Sequence, residues 1–325
     1  MSTEDLIAVT GSIGGLGPAA AYAVLIRELD RRGLRNNVIA YAGSSGSAPW
    51  AAMAAFGMSG HDMMAALLSV NSKDVWEDWN RRRIYTALIR SGIRGGILPG
   101  FTGVIEGDKL REWLRDKIGT VTFEDLPTTL YIPAFDINRG INTMFGPWMT
   151  FDPVEVAKAV RASTAIPFGF HHEVIRGVEE GLECGYWDGA VGCTIPLLPL
   201  VRETTHLLEP PPDRPFEWKM PDVVIALDAA GVTSAPEPKP WVSIDDMGVP
   251  EFVDRMLDHE IELANHLAIE LARQVAQPVP ICVFEVRDGA SMSDPAGTIP
   301  QAMAAAEEDI PEFLDSIGLG VVDNG

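Results

Sequence analysis

Two glycine-rich turns and one aspartate hold the residues of this sequence that could do chemistry. The first turn is VTGSIGGLGPA at 9–19, with apolar LIAV before it and AAAYAVLIREL after it. A strand that feeds such a turn and then a helix leaves a row of backbone N–H groups without intrahelical partners. Those donors suit the pyrophosphate of a dinucleotide or the oxyanion of an ester under attack. The second turn, Gly43-Ser44-Ser45-Gly46-Ser47, follows VIAYA. It is close to the G-x-S-x-G nucleophile elbow, with Ser47 in the last place. A helix starting there directs the positive end of its dipole toward a forming oxyanion. The aspartate is Asp188, in GYWDGAVGCTIPLLPL. Asp-Gly after two aromatics also fits a hairpin turn.

The dinucleotide alternative can be tested on the sequence. Thr10-Gly11-x-x-x-Gly15-x-Gly17 matches the TGxxxGxG turn of short-chain dehydrogenases. Those enzymes need a tyrosine with a lysine four residues later. Four residues after Tyr22, Tyr41, Tyr85, Tyr131 and Tyr186 stand Ile26, Ser45, Ile89, Phe135 and Ala190. None is lysine, so nicotinamide chemistry has no acid here. Acyl transfer needs a base for the serine. The downstream histidines His171, His172, His206, His259 and His266 have no distinctive setting; His259 and His266 sit seven apart on one helical stretch.

The elements that must position these residues alternate. Strand patterns lie at 6–10, 38–42, 129–137, 223–229 and 279–286, and helical patterns at 18–32, 47–57, 61–70, 74–92, 108–117, 153–163 and 250–276. Alternating β and α with apolar strands predicts an α/β fold whose largely parallel sheet is covered on both faces. Proline-rich 209–221 and 234–241 read as surface loops, and the 325 residues as a single domain, 1–325.

Composition excludes several classes. A formal net charge of −21 argues against nucleic acid and against broad adsorption to anionic membranes, though it leaves room for transient contact through a local patch. No apolar run reaches the roughly 18 residues of a spanning helix. MSTEDLIAVTGS carries acidic residues where a signal peptide carries basic ones, so a cytoplasmic location is expected. Cys184, Cys193 and Cys282 have no paired zinc spacing and read as core thiols. Arg81-Arg82-Arg83, with Arg90 and Arg94 beyond, reads as a solvated helix face, with a phosphate or membrane contact as its functional alternative. The Met- and Ala-rich run 51–68 reads as buried helix behind the elbow.

Taken together and in order, these blocks resemble the patatin-like phospholipase family, which includes the cytosolic phospholipases. The blocks are GSIGGLGPAAAYAVLIREL, then AGSSGSAPW, then TFEDLPTTLYIPAFDINRG through AVRASTAIPFGF, then YWDGAVGCTIPL. The resemblance covers roughly residues 5–290. It implies a patatin-like three-layer sandwich and a serine acyl hydrolase of the phospholipase, lysophospholipase or carboxylesterase type. In that scheme Ser45 is the nucleophile and Asp188 the base. Backbone N–H groups of Gly14, Gly15 and Gly46 form the oxyanion hole, and Gly43, Gly17 and Gly189 support the motifs. It implies a lipid or lipid-like ester as substrate, with neither metal nor organic cofactor. One departure stands out: the family's Gly-Gly-Gly-x-Arg-Gly turn places its arginine at Gly17 or Pro18, and no arginine is there. That loss puts a phosphate headgroup site in doubt. It also keeps open a non-catalytic protein of the same fold that binds lipid or a partner, and an acyltransferase is a third reading.

Overall fold

The chain forms eight strands, of which β1, β2 and β7 are runs of β-branched and small apolar residues: β1 (Ile7–Gly11), β2 (Val38–Gly43), β3 (Thr129–Asp136), β4 (Ile141–Phe145), β5 (Glu173–Arg176), β6 (Glu183–Trp187), β7 (Val223–Asp228) and β8 (Ile281–Glu285). The computed structural model describes residues 5–70, 105–167, 169–176, 178, 181–203, 208–229, 264–286 and 295–320. The strands make one sheet in the order β5-β6-β3-β2-β1-β7-β8, with β4 pairing β3. From β3 to β8 the neighbours are parallel. The second half of β3 turns to antiparallel partners, β4 along Ile132–Asp136 and β6 at Phe135 and Asp136.

Strand side chains alternate between two cores. Ile7, Val9, Ile225 and Leu227 enter the larger one, with α1 (Leu16–Arg31), α2 (Ala48–Phe56), α3 (Gly60–Leu68), α4 (Asp108–Ile118) and α5 (Val156–Ser163). Ala8, Val224 and Ala226 face the other, where α6 (Leu198–Val201) and α7, at 264–275, supply Leu200, Val201, Ile269 and Ala272. Burial on both faces explains why these strands read as continuous apolar runs. The result is the expected three-layer sandwich. α1 and α2 are apolar around nearly their whole circumference because both lie deep in the larger core.

Three strands, β4, β5 and β6, and two helices, the short α6 and α8, were not among the sequence expectations. β5 exposes alternate residues, Val174 and Arg176, and β4 is buried only at Phe145, which dilutes the apolar signal. α8 (Pro295–Ser316) lies beyond the roughly 290-residue limit of the resemblance, and Pro300 and Pro311 inside it disguise it as a loop. Yet it packs on α1 and gives Ile299, Met303, Ile310 and Leu314 to the larger core. Arg32, just past α1, fixes it by donating to Pro311 O (2.9 Å), Leu319 O (2.5 Å) and the Asp315 carboxylate (2.5 Å).

The helical pattern at 74–92, most of that at 250–276, and Arg81, Arg82, Arg83, Arg90 and Arg94 lie outside the described residues. Among the described residues, no helix is long and apolar enough to cross a membrane.

Candidate active site

The glycine turn and the serine turn meet at the C-terminal ends of β1 and β2, the edge where open α/β sheets build their sites. β2 ends at Gly43, residues 45–47 make a single 3-10 turn, and α2 begins at Ala48. Ser45 has φ +49°, the left-handed region that non-glycine residues rarely enter. Its neighbours hold it there. Ser47 Oγ sits 2.7 Å from Gly11 O and accepts from the Ser44 N–H at 3.0 Å. Ser44 Oγ donates to Cys193 O at 2.8 Å. Two of the three serines are therefore tied to backbone. The third, Ser45, donates through Oγ to Asp188 Oδ2 at 2.8 Å.

Asp188 follows β6 directly and caps a 3-10 turn at Gly189–Val191, so the Asp-Gly pair is not a hairpin. Its Oδ1 accepts from the Ala190 N–H at 2.8 Å, and its own N–H donates to Ala165 O at 2.9 Å. The residue is 1% exposed. Burial pushes its carboxyl up to about 7, against the opposing pull of the Ala190 and Ser45 hydrogen bonds and the Arg161 charge. Of its neighbours along the chain, Tyr186 is buried and Val191 stands exposed. Gly189 closes the other side: a Cβ there would lie 2.7 Å from both Pro133 O and Ser44 Oγ. A hydroxyl hydrogen-bonded to a carboxylate of raised proton affinity can surrender its proton as the oxygen attacks.

The glycine turn borders this pair. Its first amides are engaged, Ser12 N–H to Leu227 O at 2.9 Å and Ile13 N–H to Thr194 O at 3.0 Å. Among the described residues, the amides of Gly14, Gly15 and Gly46 donate to no such loop carbonyl. Gly14 and Gly15 have φ of +136° and +67°, and Gly15 is the N-cap of α1. A Cβ on Gly46 would fall 2.1 Å from Gly15 O, so the two turns touch backbone to backbone only because residue 46 is glycine. Gly17 and Pro18 lie buried in the first turn of α1, where the proline's missing N–H costs little.

One segment that the sequence reading quoted without assigning it a role proves central. At the end of α5, Ser163 Oγ accepts the Ser45 N–H at 3.2 Å, and two residues later Ala165 O accepts the Asp188 N–H. Arg161, 1% exposed, donates to His171 O at 2.7 Å and to Glu106 O, and its guanidinium lies over the Phe170 ring. The only signal was the Ala-Ser-x-Ala-Ile-Pro wording of the segment, which does not say what these groups face.

Neither serine nor aspartate has a recorded hydrogen bond to a histidine among the described residues. The His171 and His172 rings stack on each other at 4.7 Å, and His266 is exposed. His206 and His259 lie outside the described residues. All three cysteines are free, and burial pushes the Cys193 thiol up to about 12. Among the described residues, no group of three or more His, Cys, Asp or Glu is placed to hold a metal ion.

Among the described residues, two cavities stand out. One of about 560 Å³ lies at the opposite ends of the strands, against Val38, Ile39 and Thr129. The other, about 70 Å³, opens on Ser45, Gly15 and Gly46. The smaller one matters for chemistry, because only it touches the serine that meets a carboxylate.

A sequence profile described as patatin-like phospholipase matches residues 14–201, which takes in the later part of the glycine turn, the serine turn and Asp188. Comparison with curated proteins finds no match. Among solved structures, VipD from Legionella pneumophila is 14% identical with a TM-score of 0.46, over 96% of this chain and 67% of that one. The ExoU–SpcU complex from the type III secretion system of Pseudomonas aeruginosa gives 16%, a TM-score of 0.36, and coverage of 97% and 61%. Human GIVD cytosolic phospholipase A2 gives 12%, a TM-score of 0.27, and coverage of 45% and 22%.

Proposed function

The chain belongs to the patatin-like phospholipase family, and on that premise we propose that it is a serine acyl hydrolase acting on lipid or lipid-like esters through a Ser45–Asp188 dyad. The observation that carries this reading is the 2.8 Å hydrogen bond from Ser45 Oγ to Asp188 Oδ2, made from a left-handed elbow residue. Ser45 Oγ attacks the ester carbon while Asp188 takes its proton. Negative charge moves to the carbonyl oxygen, where the amides of Gly14, Gly15 and Gly46 and the N-terminus of α1 stabilise it. Collapse of this intermediate breaks the bond to the alcohol, which leaves with the proton from Asp188. Water then attacks the acyl-enzyme, again giving its proton to Asp188. The carboxylic acid departs, and Ser45 recovers its proton.

Gly17 and Pro18 stand where the family's oxyanion-loop arginine falls. With no arginine at that turn, neutral esters should be hydrolysed at least as well as phospholipids. A fluorophosphonate probe tests the reading, because only an activated serine reacts readily with it. Wild type should label and hydrolyse p-nitrophenyl esters, and Ser45→Ala should do neither while keeping its circular dichroism spectrum. Labelling that survives Ser45→Ala would reassign the nucleophile. A folded wild type that neither labels nor turns over any ester would mark a binding protein built on the fold.

A further inference from the structure

The cavity of about 560 Å³ has no part in the proposed hydrolysis, although its size is that of a small-molecule site. β2 separates it from the dyad: Val38 and Ile39 at the start of the strand line the cavity, and Gly43 at its end leads into the serine turn. The walls carry an unusual charge for this chain. Acidic residues outnumber basic ones 46 to 25 overall, yet among the described lining residues Arg35 and Lys219 are accompanied by a single carboxylate, Glu217. Arg35 is held in place by the fold itself. Its Nη2 donates to Ala54 O at 2.6 Å and to Met58 O at 3.3 Å, and its guanidinium lies over the Tyr41 ring, 5.1 Å from the centroid. Its Nη1 is buried without an acceptor. Carbonyls and a ring orient the guanidinium but do not neutralise it. Lys219 is exposed and forms no ion pair among the described residues. The same lining holds two half-buried aromatics, Phe216 and Trp218, and Trp218 is anchored by its Nε1–H to Pro199 O at 3.2 Å.

We propose that this cavity is a second binding site, one for a small organic anion with a flat apolar body. The acid group of the ligand pairs with Arg35 and Lys219, and its rings lie against Phe216 and Trp218. Charge complementarity selects the class. A neutral molecule of the same shape leaves both cations without a counter-charge, and a bare inorganic anion leaves the aromatic wall in water. Carboxylate and phosphate heads share the chemistry that the two cations recognise. Binding here is independent of the hydrolase reading, because none of these residues belongs to the dyad or to the glycine turn.

Isothermal titration calorimetry on the full chain tests this with three probes of one shape: 2-naphthoate, 2-naphthyl phosphate and the neutral 2-naphthylmethanol. Wild type, Lys219→Gln, Arg35→Gln and Trp218→Ala are compared, with folding followed by circular dichroism. Wild type should bind at least one of the anions about tenfold more tightly than the neutral probe, and the tighter of the two identifies the acid group. Lys219→Gln should weaken that anion by about threefold or more. Arg35→Gln should weaken it by about tenfold, and Trp218→Ala by about fivefold. Lys219 is a surface residue, so its variant carries the test if Arg35→Gln does not fold. Equal binding of the anions and the neutral probe overturns the inference. So does anion binding that the folded Lys219 and Arg35 variants leave unchanged, which would put the probe elsewhere on the molecule. A wild type that binds none of the probes at millimolar concentration overturns it as well.

Discussion

Asp188 is where stability and reactivity pull in opposite directions. Burial raises its carboxyl from the ordinary range to about 7. Between about 4 and 7 the folded chain therefore keeps a proton that the unfolded chain has released, and stability falls as pH rises through that window. The ionised form that prevails above about 7 is the one able to take the Ser45 proton. In the proposed mechanism kcat/KM should rise about tenfold per pH unit and level off near pH 7. Asp188→Asn should lose on the order of 10²–10⁴ in rate. The same variant should melt at a higher temperature than wild type at pH 8, with the gap closing toward pH 5. A lower melting temperature at pH 8 would show that the carboxylate is not under desolvation stress.

At the scale of elements, the end of α5 holds both members of the pair. Ser163 and Ala165 are two residues apart, and each accepts an amide, one from Ser45 and the other from Asp188. Serine and aspartate come from β2 and β6, which are not neighbours in the sheet. α5 is the rigid piece that sets their separation. Ser163→Ala would leave the Ser45 N–H without its acceptor, a loss of about 1–3 kcal/mol in a buried setting. The expected result is a kcat lower by about tenfold or more with KM little changed, because the contact positions the proposed nucleophile and not the ester. Steady-state kinetics on p-nitrophenyl butyrate would read this split, and an unchanged kcat would show the bond to be structural only.

At the scale of the whole molecule, α8 returns to α1 and closes the larger core on that side. Arg32 is the clasp: its side chain is 1% exposed, lies 3.9 Å from the buried Glu28 carboxylate, and donates to Asp315 and two carbonyls at the end of α8. Arg32→Ala strands those acceptors and should destabilise the fold by about 3 kcal/mol in urea titrations. Fluorophosphonate labelling in native buffer should persist, because nothing in the site touches Arg32. A wild-type urea midpoint would mean that apolar packing of Ile310 and Leu314 alone secures the helix.

Several features were written locally and could be read without the fold. Gly14, Gly15, Gly43 and Gly46 announce turns because no side chain fits where they stand. The runs LIAVT and VVIALDA announce strands buried on both faces because neither face can be polar. Asp188 was visible through its aromatic and glycine neighbours. The tertiary structure decided the rest. α8 is a helix despite Pro300 and Pro311 because α1 offers it a surface to bury against. Ser163 and Ala165 acquire their part only when β2 and β6 converge on α5. Ser44, Ser45 and Ser47 are the same residue type within one pentapeptide, and the elbow pattern singles out Ser45 by its place without saying what any of the three hydroxyls meets. Their hydroxyls meet Cys193 O, Asp188 and Gly11 O, which lie 149, 143 and 36 residues away along the chain. Which hydroxyl faces a carboxylate is a property of distant backbone brought together, and that only folding supplies.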